Sequence, residues 1–200
     1  MKLFYSPSSP YARKARIFAI EKKLSGDIEE IATSQFDATP ASMALSSANP
    51  LQKIPTLVLD DGTAIYDSRV ICEYFGIVGH GPTLIPTNPK ERVRCLTTAA
   101  MAEGIIDAAF NLVMELRRPV ESRSDMWIAR WTSNIDRALN TMDAHLTEGF
   151  DLRHINMICA IDYLRFRLSG RFSPTHAAVE WRSRHATRTS IVATVPSDLD

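Results

Sequence analysis

The sequence predicts a chain of two parts: a small mixed α/β unit over residues 1–78, a linker over 79–87, and an all-helical unit over 88–200. Three observations carry that division. A short apolar strand run leads through a turn into a helix that begins at a proline. A hairpin with an Asp-Gly turn follows and leads directly into a capped helix. Beyond residue 87 the apolar patterns repeat at helical spacing, with no strand among them.

Composition narrows the class. The 200 residues are 45% hydrophobic and 23% charged, the profile of an ordinary globular chain. Twenty-three basic residues balance 23 acidic ones, so nothing points to nucleic acid or to an anionic membrane surface. Cys72, Cys95 and Cys159 are odd in number and widely spaced, which fits neither a disulfide framework nor a metal site. The N-terminus reads as a strand rather than a signal region, and no apolar run approaches a membrane span. A reducing cytoplasm is the expected compartment.

The elements follow in order. Lys2 to Tyr5 is a strand run, and Ser6-Pro7-Ser8-Ser9 is a turn. Ser9 stands as the N-cap of a helix over Pro10 to Leu24, with Pro10 at the first helical position, where its missing N–H leaves no bond unmade. Ile17, Ile20 and Leu24 share one face of that helix, Arg13, Lys14 and Arg16 lie elsewhere, and Ser25-Gly26 ends it. Asp27 to Ala32 is a second strand. Thr33 to Asn49 lacks periodicity and reads as loop with at most one irregular helix. Thr56 to Leu59 and Thr63 to Tyr66 are strands joined by Asp60-Asp61-Gly62. Asp67-Ser68 then caps a helix with Val70, Ile71, Tyr74, Phe75 and Val78 on its apolar face. The order β-α-β-loop-β-β-α describes a small mixed sheet with helices packed on it, the thioredoxin-like arrangement.

Two roles are open to Ser9 on local grounds. It is a plain helix cap, or it is a hydroxyl held where a bound thiolate would sit, because helix N-termini favour anions and depress thiol pKa values. Ser6 and Ser8 compete for the second role.

Three motifs bear on that choice. Ser9-Pro10-Tyr11-Ala12 resembles the C-P-Y-C motif of glutaredoxins, with serine in place of the first cysteine. Asn49-Pro50-Leu51-Gln52-Lys53-Ile54-Pro55 resembles the N-P-x-G-K-[VI]-P segment of glutathione transferases, and Asp67-Ser68 their [ED]-S pair. Taken in this order and spacing, they make the chain resemble a serine-type bacterial member of the cytosolic glutathione transferase superfamily. The resemblance implies glutathione as co-substrate, no metal, and a homodimer. It implies that Ser9 donates a hydrogen bond to the glutathione sulfur. It implies a cis Pro55, with the Ile54 backbone pairing with the cysteinyl residue. Asp67 and Ser68 are implied to take the γ-glutamyl end at a helix N-terminus, and Lys53 to face the glycyl carboxylate.

The remainder reads as helix. Asn88, Pro89 and Glu91 form a start signal for a helix running to Arg118, with Gly104 marking a bend or a close contact. Ser124 to Leu146 is a second helix, and its stripe of Trp127, Trp131, Ile135, Leu139, Met142 and Leu146 is assigned to packing. Leu152 to Leu168 is apolar nearly all round and so central to its unit. Its Tyr163-Leu164-Arg165-Phe166-Arg167 resembles the family's Y-L-x-F-R. It departs from the family pattern at its start, where Asp151 and His154 replace a Ser/Thr and an Asp, and at Asp162, where a small residue is usual. His154 is expected to cap the helix or lie at the surface. Thr175 to Thr194 fits one or two short helices, and Arg188-Thr189-Ser190-Ile191 resembles the family's R-P-S-F.

The expected activity is attack of the glutathione thiolate on a small electrophile, in a detoxifying transferase. Tyr11, Met101, Ile105, Asn111 and Met114 are candidate walls for the electrophile in a cleft between the two parts. Asp107 is a candidate contact to glutathione in a partner subunit. The alternative is a non-catalytic glutathione- or protein-binding module of the same fold.

Overall fold

The computed structural model describes residues 1–34 and 36–198. They divide into two compact units, Met1–Ile85 with Arg188–Asp200, and Pro86–Thr187. The helical unit thus ends, as a compact body, at Thr187. The tail that the linear reading grouped with the helices packs in the first unit.

The first unit runs β1 (Lys2–Tyr5), α1 (Pro10–Glu21), β2 (Glu29–Ala32), α2 (Pro40–Ala48), β3 (Thr56–Val58), β4 (Ala64–Ile65) and α3 (Ser68–Val78), and closes with α8 (Thr189–Val192). Its four strands lie in the order β2-β1-β3-β4. β1 is parallel to β2 and antiparallel to β3, and β3 is antiparallel to β4. This is the thioredoxin-like sheet. Leu3, Ile17, Phe18, Leu57, Ile71 and Phe75 are fully buried in its core.

Several local signals play out differently from expectation. α1 stops at Glu21, three residues early, because Lys23 takes φ 59°. Leu24 N–H then reaches the Ala19 carbonyl and Lys23 N–H the Ile20 carbonyl, the two bonds of a Schellman ending, with lysine where glycine is usual. Ser25-Gly26 belongs to the short 3-10 turn that follows. The stretch read as loop contains a regular helix, α2, whose start is conventional: Thr39 accepts the Ser42 N–H at 3.2 Å and Pro40 is the first helical residue. On α3 the buried stripe is Ile71, Cys72 and Phe75, and Val70 is half exposed at 51%.

The tail is tied to α1 by charge. Arg188 donates from Nε and Nη2 to the two carboxylate oxygens of Glu21 at 2.7 and 2.8 Å, and Ser190 donates to the same carboxylate. Burial alone would push the Glu21 carboxyl up, but the hydrogen bonds from Arg188 and Ser190 and the guanidinium charge outweigh it and hold it below its usual range. A depressed folded-state value stabilises fully above the unfolded carboxyl value of about 4.3 and is lost as pH falls through the folded one. The stability gap between the wild type and Glu21→Gln, from denaturant titrations at stepped pH, is therefore expected to be flat near neutrality and to close in acid. A gap that widens in acid contradicts the pairing.

The second unit runs α4 (Pro89–Leu116), α5 (Asp125–Met142), α6 (Leu152–Arg167) and α7 (His176–Arg184). α4 packs on both α5 and α6. Asn88 caps α4 by accepting the Lys90 and Glu91 N–H groups at 3.0 and 3.2 Å. The helix ends at Leu116, just ahead of Pro119, and Arg123 donates to the freed carbonyls of Leu116 and Arg118 at 2.6 and 2.9 Å. An 18-residue window of α4 has mean hydropathy 1.2, long and apolar enough to cross a membrane, which the linear reading did not expect; 56% of that window is buried in the protein, as a core helix would be.

α5 corrects one assignment. Ile135, Leu139 and Met142 are buried, but Trp127 is 43% exposed and Trp131 half-buried. The two indoles stack on each other at 5.4 Å. Helical spacing says which residues share a face, not how far along that face a neighbour reaches. Gly104 marks no close contact either: a Cβ there would meet nothing within 4 Å. Gly104→Ala is accordingly expected to raise stability by about 0.5–1 kcal/mol, read as a higher denaturation midpoint at unchanged slope.

The two departures on α6 are each satisfied. Asp151 and His154 form a capping box, and His154 is 1% exposed, so it is a buried cap and no surface residue. Asp162 receives two hydrogen bonds from Arg182 of α7, at 2.8 and 2.7 Å.

Candidate functional site

The strand directions bring three chain segments to one edge of the first unit. Phe4 lies opposite Thr56, so the end of β1 and the start of β3 are neighbours. Leu57 lies opposite Ile65, so the end of β4 is at the start of β3 as well. The loop into α1, the Ile54–Pro55 approach to β3, and the entry to α3 therefore share that edge. β1 and β4 are two strand spacings apart, roughly 10 Å. An extended tripeptide reaches about as far.

Ser9 is the N-cap of α1, half-buried, with extended backbone at φ −83° and ψ 119°. Its Oγ accepts the Ala12 N–H at 3.2 Å. A hydroxyl that accepts still has its own proton to give. Its carbonyl accepts the Arg13 N–H at 2.9 Å, and its N–H reaches the Ser6 carbonyl at 3.0 Å. Tyr11 is half-buried in the first turn of α1.

The middle segment is held by a residue whose part was not legible beforehand. Asn49 is almost fully buried. Its Nδ2 donates to the Lys53 carbonyl at 3.2 Å and to Thr56 Oγ1 at 2.9 Å, and its Oδ1 accepts the Leu51 N–H at 2.9 Å. Thr56 Oγ1 also donates to the Lys53 carbonyl, at 2.7 Å. Gln52, at the position where the motif has glycine, takes φ 49° and donates from its side chain to Ser42 at 3.2 Å. The side chain of Lys53 is exposed, and the Ile54–Pro55 bond is cis. The signal that could have found Asn49 is an asparagine immediately before a proline in a turn-forming stretch, a residue type that bonds its own backbone two residues on.

At the third segment Asp67 is exposed and caps α3, its Oδ1 accepting the Arg69 N–H at 2.9 Å. Ser68, the first helical residue, is 3% exposed. The Tyr66–Asp67 bond is also cis. A helix N-terminus with a serine hydroxyl beside it suits a carboxylate, and the exposed Asp67 carboxylate suits an ammonium.

The proposed electrophile walls in the second unit are of different kinds. Ile105 is 1% exposed and offers a ligand no surface; it is a packing residue. Asn111 and Asp107 are exposed on α4. Met101 is half-buried beside a shallow depression of about 400 Å³, lined also by Gly104, Asn134, Arg137, Ala138 and Thr141. Met114 is half-buried on the last turns of α4. Among the described residues no cluster of His, Cys, Asp and Glu has the makings of a metal site.

Comparison with known proteins gives a consistent result. Residues 8–76 match the family model for the glutathione S-transferase N-terminal domain. Over 174 residues the chain is 33% identical to the uncharacterized GST-like protein YibF of Escherichia coli (strain K12), an alignment covering 84% of this chain and 83% of that one. Among solved structures, a glutathione transferase family member from Pseudomonas fluorescens Pf-5 with bound glutathione is 35% identical with a TM-score of 0.89, covering 98% of both chains. A glutathione S-transferase from Methylobacillus flagellatus KT with glutathione bound is 32% identical with a TM-score of 0.90, covering 98% of this chain and 99% of that one.

Proposed function

The chain belongs to the glutathione S-transferase superfamily, and from that premise we propose that it is an active transferase in which Ser9 holds the glutathione sulfur as a thiolate. The observation that carries the reading is the convergence of Ser9, Ile54–Pro55 and Asp67–Ser68 on one sheet edge. Ser68 and the N-terminus of α3 take the γ-glutamyl carboxylate, and Asp67 takes its ammonium. The Ile54 backbone, just outside the β3 ladder, pairs with the cysteinyl residue. Lys53 faces the glycyl carboxylate.

The energetics are of the right size. A cysteine-like thiol titrates near 8.5, so only a few per cent is thiolate at neutral pH. Lowering that value by about two units takes about 2.7 kcal/mol. A hydrogen bond to a charged group contributes about 1.5–3 kcal/mol and the α1 dipole about 0.3–1 kcal/mol. The thiol proton leaves to water. The thiolate then forms a C–S bond with an electrophilic carbon, and a leaving group departs with its electron pair or an activated double bond accepts the addition. Ser9 donates to the nucleophile throughout and does not itself attack.

The reading extends to a homodimer acting on small electrophiles in a reducing, cytoplasmic compartment, with detoxification as its role. The three cysteines fit such a compartment, since all are buried and none forms a disulfide. The test is conjugation of glutathione to a panel of electrophiles, with glutathione affinity measured in parallel. Turnover of at least one electrophile is expected. Tight binding with no turnover of any of them points to the non-catalytic module, and no binding removes both readings.

A further inference from the structure

In the helical unit a second cluster pairs a nucleophile with a base. Thr147 is exposed in the loop ahead of α6, and its Oγ1 lies 3.1 Å from His154 Nε2. His154, 1% exposed, stands in the first turn of α6, and its Nδ1 is 2.7 Å from Asp151 Oδ1. Hydroxyl, imidazole and carboxylate thus have the order and spacing of a nucleophile, its base and the group that orients the base. Phe150 and Trp181 stack on the imidazole at centroid distances of 6.4 and 5.7 Å and fix its plane.

The proton positions follow from the partners. A carboxylate only accepts, and a bare Nδ1 at 2.7 Å would set two lone pairs against each other, so Nδ1 carries the proton. The Asp151 N–H, 3.1 Å from the same nitrogen, is the more distant neighbour. In the neutral ring Nε2 is then an acceptor. The Thr147 carbonyl, 3.2 Å from it, cannot donate and already accepts the Trp181 Nε1–H at 3.2 Å. The Thr147 hydroxyl is therefore the donor to Nε2. Asp151 stays ionised. Burial alone would push its carboxyl up, but the hydrogen bond and charge of His154 and those of Arg153, whose Nε is 2.8 Å from Oδ2, hold it below its usual range. The loop is open beside the hydroxyl. Gly149 takes φ 98°, and a Cβ there would meet nothing within 4 Å. Among the described residues the N–H groups of Glu148 and Gly149 have no hydrogen-bond partner.

We propose that Thr147 is a reactive hydroxyl that takes an acyl group from activated esters, with His154 as its general base and Asp151 as the residue that positions His154. Thr147 Oγ1 bonds to the ester carbonyl carbon as its proton passes to His154 Nε2. The ester C–O bond breaks, the leaving oxygen departs with the electron pair and takes that proton, and Thr147 is left acylated. The Glu148 and Gly149 N–H groups are donors for the carbonyl oxygen as it gains charge.

The test is reaction with p-nitrophenyl acetate in the absence of glutathione, so its failure leaves the Ser9 reading untouched. Release of p-nitrophenolate gives the rate, and peptide mass mapping gives the acetylated residue. A burst with the acetyl group on Thr147 is expected. Thr147→Val loses it, and Thr147→Ser keeps it. His154→Gln slows it about 100-fold. Asp151→Asn also slows it, and moves the ring proton from Nδ1 to Nε2 in nitrogen NMR of histidine-labelled protein. His154 is a buried cap whose replacement can unfold the chain, so the wild type in denaturant supplies a second measure: the burst must vanish on unfolding. Acetylation confined to lysines or the N-terminus overturns the proposal. So does a burst unchanged in Thr147→Val, or Thr147 labelled equally in folded and unfolded protein.

Discussion

Replacing Ser9 by alanine is expected to lower glutathione conjugation at neutral pH about 3- to 25-fold, with a smaller change in glutathione affinity. The Ser9 hydroxyl can donate because its oxygen accepts the Ala12 N–H and its proton is left over. Removing a hydrogen bond to a charged sulfur, worth about 1.5–3 kcal/mol, raises the bound thiol pKa by about one to two units, since one unit is 1.36 kcal/mol. From a bound value of about 6.5, at which most of the thiol is ionised at neutral pH, the thiolate fraction falls about 3- to 25-fold. Affinity changes little because the peptide ends are held elsewhere, by Lys53, Ile54, Asp67 and Ser68 on this reading. A pH profile distinguishes this from a damaged fold: the gap between wild type and variant should narrow as pH rises past the variant's thiol value. An unchanged profile in Ser9→Ala removes Ser9 from the chemistry. Ser9→Cys should gain disulfide reductase activity that the wild type lacks, since a thiol there can form a mixed disulfide with glutathione and a hydroxyl cannot. Robust reductase activity in the wild type contradicts the assignment.

Gly81→Ala is expected to destabilise the protein by about 2–4 kcal/mol, measured as a lower denaturation midpoint or loss of soluble folded protein. A Cβ at position 81 would lie 1.9 Å from the Glu21 carbonyl oxygen and 2.8 Å from Lys22 Cα. Both are backbone atoms, so no side-chain rotation relieves the overlap. The same contact carries hydrogen bonds that a shift would break. Lys22, buried at the end of α1, donates from Nζ to the carbonyls of Gly81 and Pro82 at 3.2 and 3.3 Å. Its own carbonyl accepts the His80 N–H at 3.0 Å. Near-wild-type stability in Gly81→Ala would mean the two segments do not approach so closely. Lys22→Met removes the Nζ bonds without adding bulk and should give a smaller loss.

Signals confined to a few consecutive residues were largely legible in the sequence. Ser9-Pro10, Asn88-Pro89 and Asp60-Asp61-Gly62 set a helix start, another helix start and a hairpin, because caps and turns are built from neighbours in the chain. Thr39-Pro40 is the same kind of signal, and α2 starts there; the absence of apolar periodicity beyond it hid the helix. The ending of α1 was misplaced because a Schellman cap needs one left-handed residue, and here lysine supplies it. The Arg182–Asp162 and Arg188–Glu21 pairs span 20 and 167 residues, and no local pattern announces either.

What the sequence determined by itself is the order of the elements apart from α2, the thioredoxin-like class and the superfamily, since these rest on local caps, turns, periods and motifs. What only the tertiary structure decided is which residues share an edge and which face lies covered. Pairing of β1 with β3 and of β3 with β4 gathers two distant segments beside Ser9. Coverage leaves Trp127 half in solvent and shuts Ile105 away, although both lie on helices with clear periodicity. The physical reason is that periodicity records a direction around a helix, whereas burial and site assembly depend on what other parts of the chain stand in that direction.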